Sequence, residues 1–456
     1  MNRHRADIEF ILAEVERFAR LPREEYGELT FYDALSHLPH PSGSGMLICG
    51  YAANSRLNKL AEYAISKSRY VRRVAVQSVA KELQRLISKR FIGYRDALTD
   101  QAADRVVAAA IKHAARQCTD MTHIIPCHIC HDQSPALFQI GPVTFMPMEK
   151  WLTINSDAIQ KYPNHEISPD NEGKSKTPTK IQLMLAEDTL SYYKSFSWVA
   201  QIHVKDCEPS VGRQLAMSMV RNAIDVLHLL VGAPYSKHFC IEGAAFRADR
   251  RGEIALDSAG DLCLRASIKW RRGHFGETWW QAINRGSGNF LIEILGVAIK
   301  EGNDIRRPAP LAGRFLDALT WYGEAVRDEF TASRIVKYIT AMERVLIIGS
   351  EAMIADIISS RGAALMYNFE VACGRSCDSN ALRKRFRRVY DFRSRLVHGS
   401  NSPMDDGLGE IAREAEELCR AVLRCIAIYY GQEGFLRRDL GNRELKEAYA
   451  ALSSPN

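Results

Sequence analysis

The hydrophobic residues of this 456-residue chain change their spacing twice, and this constrains the fold more than any other feature. In residues 57–91 and 102–117 they recur at the spacing of one helix face, whereas in residues 195–204 they alternate with polar residues as in a half-buried strand. From about residue 309 the helical spacing returns and continues to the end. We therefore predict three regions: an all-α N-terminal region (1–120), a central mixed α/β (α+β) region (121–305) and a C-terminal all-α helical bundle (306–456).

Short β-prone segments are typical of the central region. FQIGPVTFMP (138–147) has a Gly-Pro turn between two apolar stretches, and EIALDSAGDLCLRAS predicts a hairpin about residues 257–261. The polar segment 162–180 contains three prolines and is predicted to be a loop. The stretch 268–281 either stacks RNA bases or packs aromatic rings into the core beside a basic turn. Its aromatic, basic and histidine side chains are Trp270, Arg271, Arg272, His274, Trp279 and Trp280.

The sequence argues against a membrane or secreted protein. Its longest apolar runs, such as residues 291–299, fall short of the ~18 residues that cross a bilayer. The N-terminus is charged and helix-patterned, unlike a secretory signal. The eleven cysteines are therefore expected to be buried thiols in a reducing cytoplasm. A glycine-rich stretch, SGSG at 42–45, is not followed by the Lys-Ser/Thr of a phosphate-binding loop, so nucleotide binding is not predicted.

CHICH (127–131) is the one stretch with metal-ligand spacing. Cys127 and Cys130 form a C-x2-C pair, which is half a zinc site, and histidines lie near it. No clear second pair accompanies it, so the alternative is a Cys/His-bearing loop that enters a strand. We assign no metal and no cofactor from the sequence.

Nearly all of the net positive charge comes from one segment. Residues 371–400 carry eight Lys/Arg against two Asp, a net charge of +6 in a chain whose total is +7. A concentrated positive charge attracts polyanions, of which nucleic acid is the commonest, although many basic runs are only solvated helix faces. The RNA-binding candidates in this segment are Arg383, Lys384, Arg387 and Arg388.

A predicted helix over about 380–397, capped by Asp378 or Ser379, contains an arginine in phase with its apolar stripe. That arginine is Arg393, and the stripe consists of Leu382, Phe386, Val389, Leu396 and Val397. An arginine turned toward a bundle interior needs anions or hydrogen-bond partners. Gly399 suits the helix end, which leaves His398 at the C-terminus of the helix.

An arginine and a histidine at such a place suit the cleavage of an RNA phosphodiester. The helix dipole favours the imidazolium of His398 while neighbouring arginines oppose it, so its pKa is expected near neutrality, where histidine serves as general acid or base. The planar guanidinium of Arg393 can stabilise the charge that develops on the phosphorane. The 2′-OH is the nucleophile, so the products are a 2′,3′-cyclic phosphate and a 5′-OH, and no metal is required.

Residues 331–430 resemble a HEPN domain, specifically its Apea-like branch. The resemblance is carried by AMERVL (341–346), SSRGAALM (359–366) and VYDFRSRLVHGS (389–400), each on its expected helix. It implies a helical bundle with an R-x4–6-H motif on a late helix, which Arg393 and His398 match. It also implies that these residues meet across a homodimer as a metal-independent ribonuclease, in a toxin or phage-defence role with a trigger or antitoxin as partner.

The resemblance also assigns supporting roles. Glu343 and Arg361 match positions that recur in this branch, for which a supporting role such as an ion pair across the bundle is expected rather than chemistry. Ser394 and Arg395 follow the motif arginine as further supporting residues, and Ser394 stands where many nuclease members have Asn, Asp or His. Residues N-terminal to the domain would sense a trigger or hold the nuclease inactive. The alternative is a noncatalytic HEPN interaction protein that mediates dimerisation and RNA or partner binding.

Overall fold

The computed structural model describes residues 3–22, 36–130, 134–162, 179–241, 249–256, 262–269 and 275–453. Most of the predicted loop 162–180 and the predicted turn at 257–261 lie outside these residues. The chain divides into two compact units, Met1–His123 with His203–Leu215, and Ile124–Ile202 with Ala216–Asn456. The three regions predicted from the sequence (1–120, 121–305 and 306–456) were defined by their secondary structure and do not correspond to these two units. As domains they stay a prediction. No helix among the described residues is long and apolar enough to span a bilayer.

The first unit is mainly helical. Its elements are α1 (Arg3–Arg20), β1 (Ser36–Pro39), β2 (Met46–Cys49), α2 (Tyr51–Ser66), α3 (Val76–Ile87), a π-helical turn (Ser88–Gly93) and α4 (Asp100–Ala115). Their apolar faces form one core that includes Ile8, Leu60, Leu83 and Val106. The helical spacing read from the sequence therefore describes most of this unit.

The hairpin β1–β2 corrects the prediction of an all-α N-terminal region. The strands pair antiparallel from Ser36↔Cys49 to Pro39↔Met46. The SGSG stretch forms their turn, in which Gly43 and Gly45 have φ of 84° and 90°, a left-handed conformation that favours glycine. The glycines therefore form the turn of a hairpin. From the sequence, this stretch had been compared only with a phosphate-binding loop, and the hairpin was not predicted.

A five-stranded sheet lies in the middle of the chain. Its strands are β3 (Thr119–His128), β4 (Phe138–Ile140), β5 (Val143–Pro147), β6 (Trp198–Cys207) and β7 (Cys240–Ile241), in the spatial order β4-β5-β6-β3-β7. A separate antiparallel hairpin pairs β8 (Asp249–Leu256) with β9 (Leu262–Lys269). The helices between these strands are α5 (Met148–Ile154), α6 (Ser156–Lys161), α7 (Lys180–Lys194), α8 (Pro209–Val231), α9 (Ala233–Ser236) and, after β9, α10 (Trp279–Ile283). Mixed α and β structure in the centre agrees with the prediction.

The alternation in residues 195–204 produces a strand with one fully buried face. On β6, Trp198, Ala200, Ile202 and Val204 are all buried, whereas His203 is exposed. Trp198 also donates its indole N–H to the carbonyl of Cys130 at 3.1 Å, so its polar group is satisfied in the core.

The C-terminal part of the second unit is helical, as predicted. It contains α11 (Ser287–Gly302), α12 (Pro310–Arg327), α13 (Thr331–Leu346), α14 (Ile354–Ala372), α15 (Ser379–Val397), α16 (Leu408–Leu436) and α17 (Asn442–Ser453). Helix α16 continues beyond its predicted end near 430, with a break at Gly431, where φ is 55°. Helix α15, which carries the Arg–His motif, packs against α13, α14 and α16.

Candidate active site

Helix α15 begins at a capping carboxylate. The side chain of Asp378 accepts hydrogen bonds from the backbone N–H groups of Asn380 at 2.8 Å and Ala381 at 3.2 Å. It thereby satisfies two of the donors that the start of a helix leaves unpaired. Of the two predicted caps, Asp378 is the one used.

The end of α15 is fixed by Gly399. Its φ is 74°, its N–H donates to the carbonyl of Leu396 at 3.3 Å, and the N–H of Ser400 donates to the carbonyl of Arg395 at 2.8 Å. These two bonds define a Schellman motif. His398 is the last residue before the glycine, as predicted, and its side chain is exposed. Within the described residues its imidazole has no hydrogen bond or ion pair.

Arg393 lies on the inner side of α15 and is only partly satisfied there. It donates one hydrogen bond, of 3.3 Å, from Nη2 to Glu343 on α13, and the two side chains are 22% and 19% exposed. Its Nε is buried and has no hydrogen-bond partner among the described residues. The predicted stripe around it is buried at Leu382, Phe386 and Val389. Val397 is 55% exposed, so its placement in that stripe was wrong.

Burial controls the acidity of the carboxylate beside Arg393. Desolvation raises the pKa of Glu343, and the positive charge of Arg393 opposes this rise. Tyr390 also has a raised pKa, chiefly because of burial and then because of the charge on Glu343. The Arg393 guanidinium lies 5.8 Å from the centre of the Tyr390 ring. Arg393, Glu343 and Tyr390 thus form one half-buried polar cluster between α13 and α15.

Arg361 is bound in a different way and does not pair with Glu343. It forms two hydrogen bonds with Glu351, of 2.8 and 2.9 Å, and a third of 2.6 Å with the carbonyl of Leu346 at the end of α13. Its guanidinium also lies over the ring of Tyr449. Arg361 therefore ties α13, α14 and α17 together.

Most of the basic residues of α15 are matched by carboxylates on neighbouring helices. Arg385 pairs with Glu414 and Glu417, Arg387 with Asp356 and with Asp391 of α15 itself, and Arg388 with Glu410 and Glu414. Arg375, just before the helix, pairs with Glu370. The side chains of Arg383, Lys384 and Arg395 are exposed and have no carboxylate partner in the described part of the chain. The net charge of the segment is thus largely offset by acidic side chains elsewhere in the bundle.

Arg393 and His398 do not leave the helix in one direction. Five helical positions correspond to a rotation of about 140° and a rise of about 7.5 Å. Ser394, between them, is partly buried, and its carbonyl accepts the N–H of His398 at 3.0 Å. Within one chain the imidazole and the guanidinium therefore face different surroundings.

The His398 end of α15 meets the first turns of two other helices. Ile335 on α13 and Leu408 and Ile411 on α16 form a buried cluster there, against which Phe392 and Leu396 pack. Three apolar side chains near these helix ends are exposed to solvent: Phe330 (77%) before α13, Val397 (55%) at the end of α15 and Met404 (86%) before α16. This end of the bundle, named here the His398 face, combines an exposed imidazole with exposed apolar groups.

A buried polar chain that sequence analysis missed links α8, α9 and α12. Arg327 donates from Nη1 to Asp225 at 2.6 Å and to Nε2 of His228 at 3.0 Å. Because Arg327 can only donate, the His228 proton lies on Nδ1, which is 2.9 Å from Ser236 Oγ. Ser236 donates in turn to the carbonyl of Gly232 at 2.8 Å. The sequence signal is an aspartate and a histidine inside the apolar run of α8, three positions apart.

The other sequence candidates do not assemble a second site within the described residues. Cys127 and Cys130 are 0% and 3% exposed, and burial raises the pKa of Cys127 well above its ordinary value, which disfavours the thiolate. No group of three or more His, Cys, Asp or Glu side chains in the described ranges could hold a metal, and His131 lies outside them. Trp279 is buried and donates to the carbonyl of Ser134, as a core aromatic would, whereas residues 270–274 also lie outside the described ranges.

Comparisons of the chain with protein-family models, with curated proteins and with solved structures found no match.

Proposed function

We propose that the C-terminal helical bundle is a HEPN domain of the Apea-like branch and a metal-independent endoribonuclease. The observation that carries the proposal is the guanidinium of Arg393, which is turned inward yet makes a single long hydrogen bond and keeps a buried Nε without a partner. A buried donor without a partner costs about 1–3 kcal/mol, so an additional anion near this guanidinium is favoured. A phosphate, like a carboxylate, can accept two parallel hydrogen bonds from a planar guanidinium.

Arg361 makes a useful contrast with Arg393 in the same bundle. Its guanidinium donates three hydrogen bonds of 2.6–2.9 Å and has a structural role. Arg393 is buried to a similar degree but donates only one hydrogen bond, of 3.3 Å, to the described residues. The difference supports Arg393, rather than Arg361, as the residue that binds substrate.

In the proposed reaction His398 and Arg393 have separate roles. His398 removes the proton from the ribose 2′-OH, the 2′ oxygen attacks phosphorus, and the bond from phosphorus to the 5′ oxygen breaks. The leaving 5′ oxygen takes up a proton, which a protonated imidazole can supply. Arg393 stabilises the negative charge on the phosphorane. The products are a 2′,3′-cyclic phosphate and a 5′-OH, and DNA is not cleaved because it has no 2′-OH.

A homodimer is part of this proposal. Because Arg393 and His398 project about 140° apart on one helix, one chain does not readily bring both to the same phosphate. The His398 face has exposed apolar groups that a second copy could cover, Phe330, Val397 and Met404. We propose that the guanidinium of one copy and the imidazole of the other act on one phosphodiester.

RNA would be held by the cations that remain unpaired. Arg383, Lys384 and Arg395 are exposed without carboxylate partners among the described residues, so they can bind phosphates directly. Arg387 and Arg388 would first have to leave Asp356, Asp391, Glu410 and Glu414. We further propose a cytoplasmic toxin or phage-defence role, in which the preceding regions respond to a trigger or an antitoxin.

The ion pairs of α15 favour a second candidate function. Arg385, Arg387 and Arg388 are all engaged by carboxylates, which is also how a structural helix in an interaction domain is stabilised. In this alternative the bundle mediates dimerisation and binds RNA or a protein partner without cleaving it.

Incubation of the full-length protein with RNA in EDTA distinguishes the two functions. We expect cleavage by the wild type and its loss in Arg393→Ala and His398→Ala. The matched control is Arg344→Ala, which removes an arginine of α13 that pairs with Asp317 on the surface. Cleavage that persists in both variants, or RNA binding without cleavage under every trigger tried, would contradict the nuclease proposal.

A further inference from the structure

The contact between Glu343 and Arg393 has a consequence for how substrate binds. Resting on the proposed function, we infer that Glu343 is an internal competitor of the substrate phosphate. It holds the Arg393 guanidinium while the site is empty, and it releases the guanidinium and takes a proton from solvent when a phosphodiester binds.

The geometry of the pair is that of a contact which can be exchanged. Arg361 and Glu351 share two hydrogen bonds of 2.8 and 2.9 Å, whereas Arg393 and Glu343 share one of 3.3 Å. An arginine has five N–H donors, so a phosphate with two oxygens in reach offers Arg393 more than Glu343 does. The guanidinium can therefore be exchanged from Glu343 to a phosphate.

The surroundings of Glu343 explain why its release is coupled to a proton. Its side chain is 19% exposed, and its ion pair among the described residues is the one with Arg393. Once a phosphate has drawn Arg393 away, the carboxylate is half buried beside a second negative charge, and both effects favour its neutral form. Burial has already raised the pKa of Glu343, with Arg393 as the group that holds it down.

Arg393 is the charged group whose field acts on Glu343. Tyr390 interacts electrostatically with Glu343 and stays neutral below its raised pKa. Of the other charged side chains on α13 and α15, several are paired, and Arg383, Lys384 and Arg395 are exposed on the surface. The pairs are Lys337–Asp328, Arg344–Asp317, Arg385–Glu414, Arg385–Glu417, Arg387–Asp356, Arg387–Asp391, Arg388–Glu410 and Arg388–Glu414. Substrate affinity should therefore fall as pH rises and Glu343 becomes harder to protonate.

The test measures binding rather than cleavage. A fluorescent single-stranded RNA is titrated with the full-length His398→Ala protein between pH 5.5 and pH 8.5, because this variant leaves the RNA intact and has no imidazole at position 398. In this background we compare Glu343→Gln, which is neutral and of similar shape, with Glu351→Gln as the matched control. Glu343→Asp, which keeps the charge, provides a second variant at the same position.

We expect the parent protein to bind more weakly as pH rises. Glu343→Gln should bind about tenfold more tightly at pH 8, the size of one charge-assisted hydrogen bond, with no pH dependence. Glu343→Asp and Glu351→Gln should keep the pH dependence of the parent. If Glu343→Gln binds no more tightly and retains that dependence, the inference is wrong while the proposed function stands. If the parent binds RNA no better than Arg393→Ala at any pH, both fail.

Discussion

Arg327 Nη1 lies 3.0 Å from Nε2 of the buried His228, a contact that only an unprotonated ring nitrogen can accept. Burial and the charge of Arg327 lower the pKa of His228 well below its ordinary value. His238, seven residues after the end of α8, is also partly buried, and desolvation lowers its pKa to about 4. Two histidines of the second unit are thus kept neutral by the fold.

Acid is therefore expected to destabilise the protein through these histidines. The unfolded chain protonates histidine near pH 6.5, above the pKa of His238 in the folded state, so stability is lost as pH falls from about 6.5 to about 4. The loss from His238 is about 2 kcal/mol at pH 5. Asp225, whose pKa is raised to about 6 by burial, acts in the opposite direction, since its neutral form is favoured in the folded state.

Urea unfolding at pH 7.5 and pH 5.0 checks this prediction. The loss of unfolding free energy between pH 7.5 and pH 5.0 should be smaller in His238→Gln than in the wild type by about 2 kcal/mol. An equal difference in the two proteins would show that His238 is not held neutral in the folded state.

Gly323 on α12 should be irreplaceable because Asp225 lies against it. A Cβ atom added there would be 1.9 Å from Asp225 Oδ1, the oxygen that accepts from Arg327. Gly323→Ala should lower the unfolding free energy by about 2–3 kcal/mol through this overlap. The control is Gly313→Ala on the same helix, where an added Cβ meets nothing within 4 Å and a slight gain is expected. Thermal unfolding checks this comparison. Equal melting temperatures for the two variants would contradict the packing of Asp225 against Gly323.

Substitution of Arg361 should mainly reduce stability, whereas substitution of Arg393 should mainly reduce activity. Arg361→Ala removes three hydrogen bonds and leaves Glu351 half paired, with Lys446 at 3.8 Å, so a loss of about 2–4 kcal/mol is expected. Arg393→Ala removes one long bond and should cost less than about 1 kcal/mol while abolishing RNA cleavage. Thermal unfolding and a cleavage assay on both variants check this, and a more destabilised Arg393→Ala would contradict it.

The salt dependence of RNA binding should distinguish unpaired from paired cations on α15. Arg383→Gln should reduce the slope of log affinity against log salt by about 0.7, the contribution of one phosphate contact to a single strand. Arg388→Gln should change the slope little, because Arg388 is bound to Glu410 and Glu414. Binding titrations from 50 mM to 200 mM salt make the comparison, and a larger change for Arg388→Gln would assign the RNA path to the paired face.

Local chemistry made much of α15 predictable from the sequence. A capping aspartate, an apolar stripe and a glycine at the end define a helix through contacts of a few residues, and the structure has Asp378 and Gly399 in those roles. Val397 was misplaced because the adjacent Leu396, about 100° away around the helix, is the residue that packs on the buried cluster.

Contacts between side chains that are distant in sequence could not be predicted from local chemistry. Arg393 was expected to need an anion, but that the anion is Glu343, 50 positions earlier, depends on how α13 packs on α15. The carboxylates that offset the basic segment likewise come from α14 and α16. The series of hydrogen bonds that joins Asp225 to Ser236 also depends on α12, which supplies Arg327.

The chemistry of the RNA ends tests the central claim most directly. RNA incubated in EDTA with the wild type, with Arg393→Ala and with His398→Ala can be analysed by mass spectrometry. We expect 2′,3′-cyclic phosphate and 5′-OH ends with the wild type and intact RNA with both variants. Ends bearing a 3′-OH and a 5′-phosphate, or cyclic phosphates formed equally by all three proteins, would contradict the assignment of Arg393 and His398.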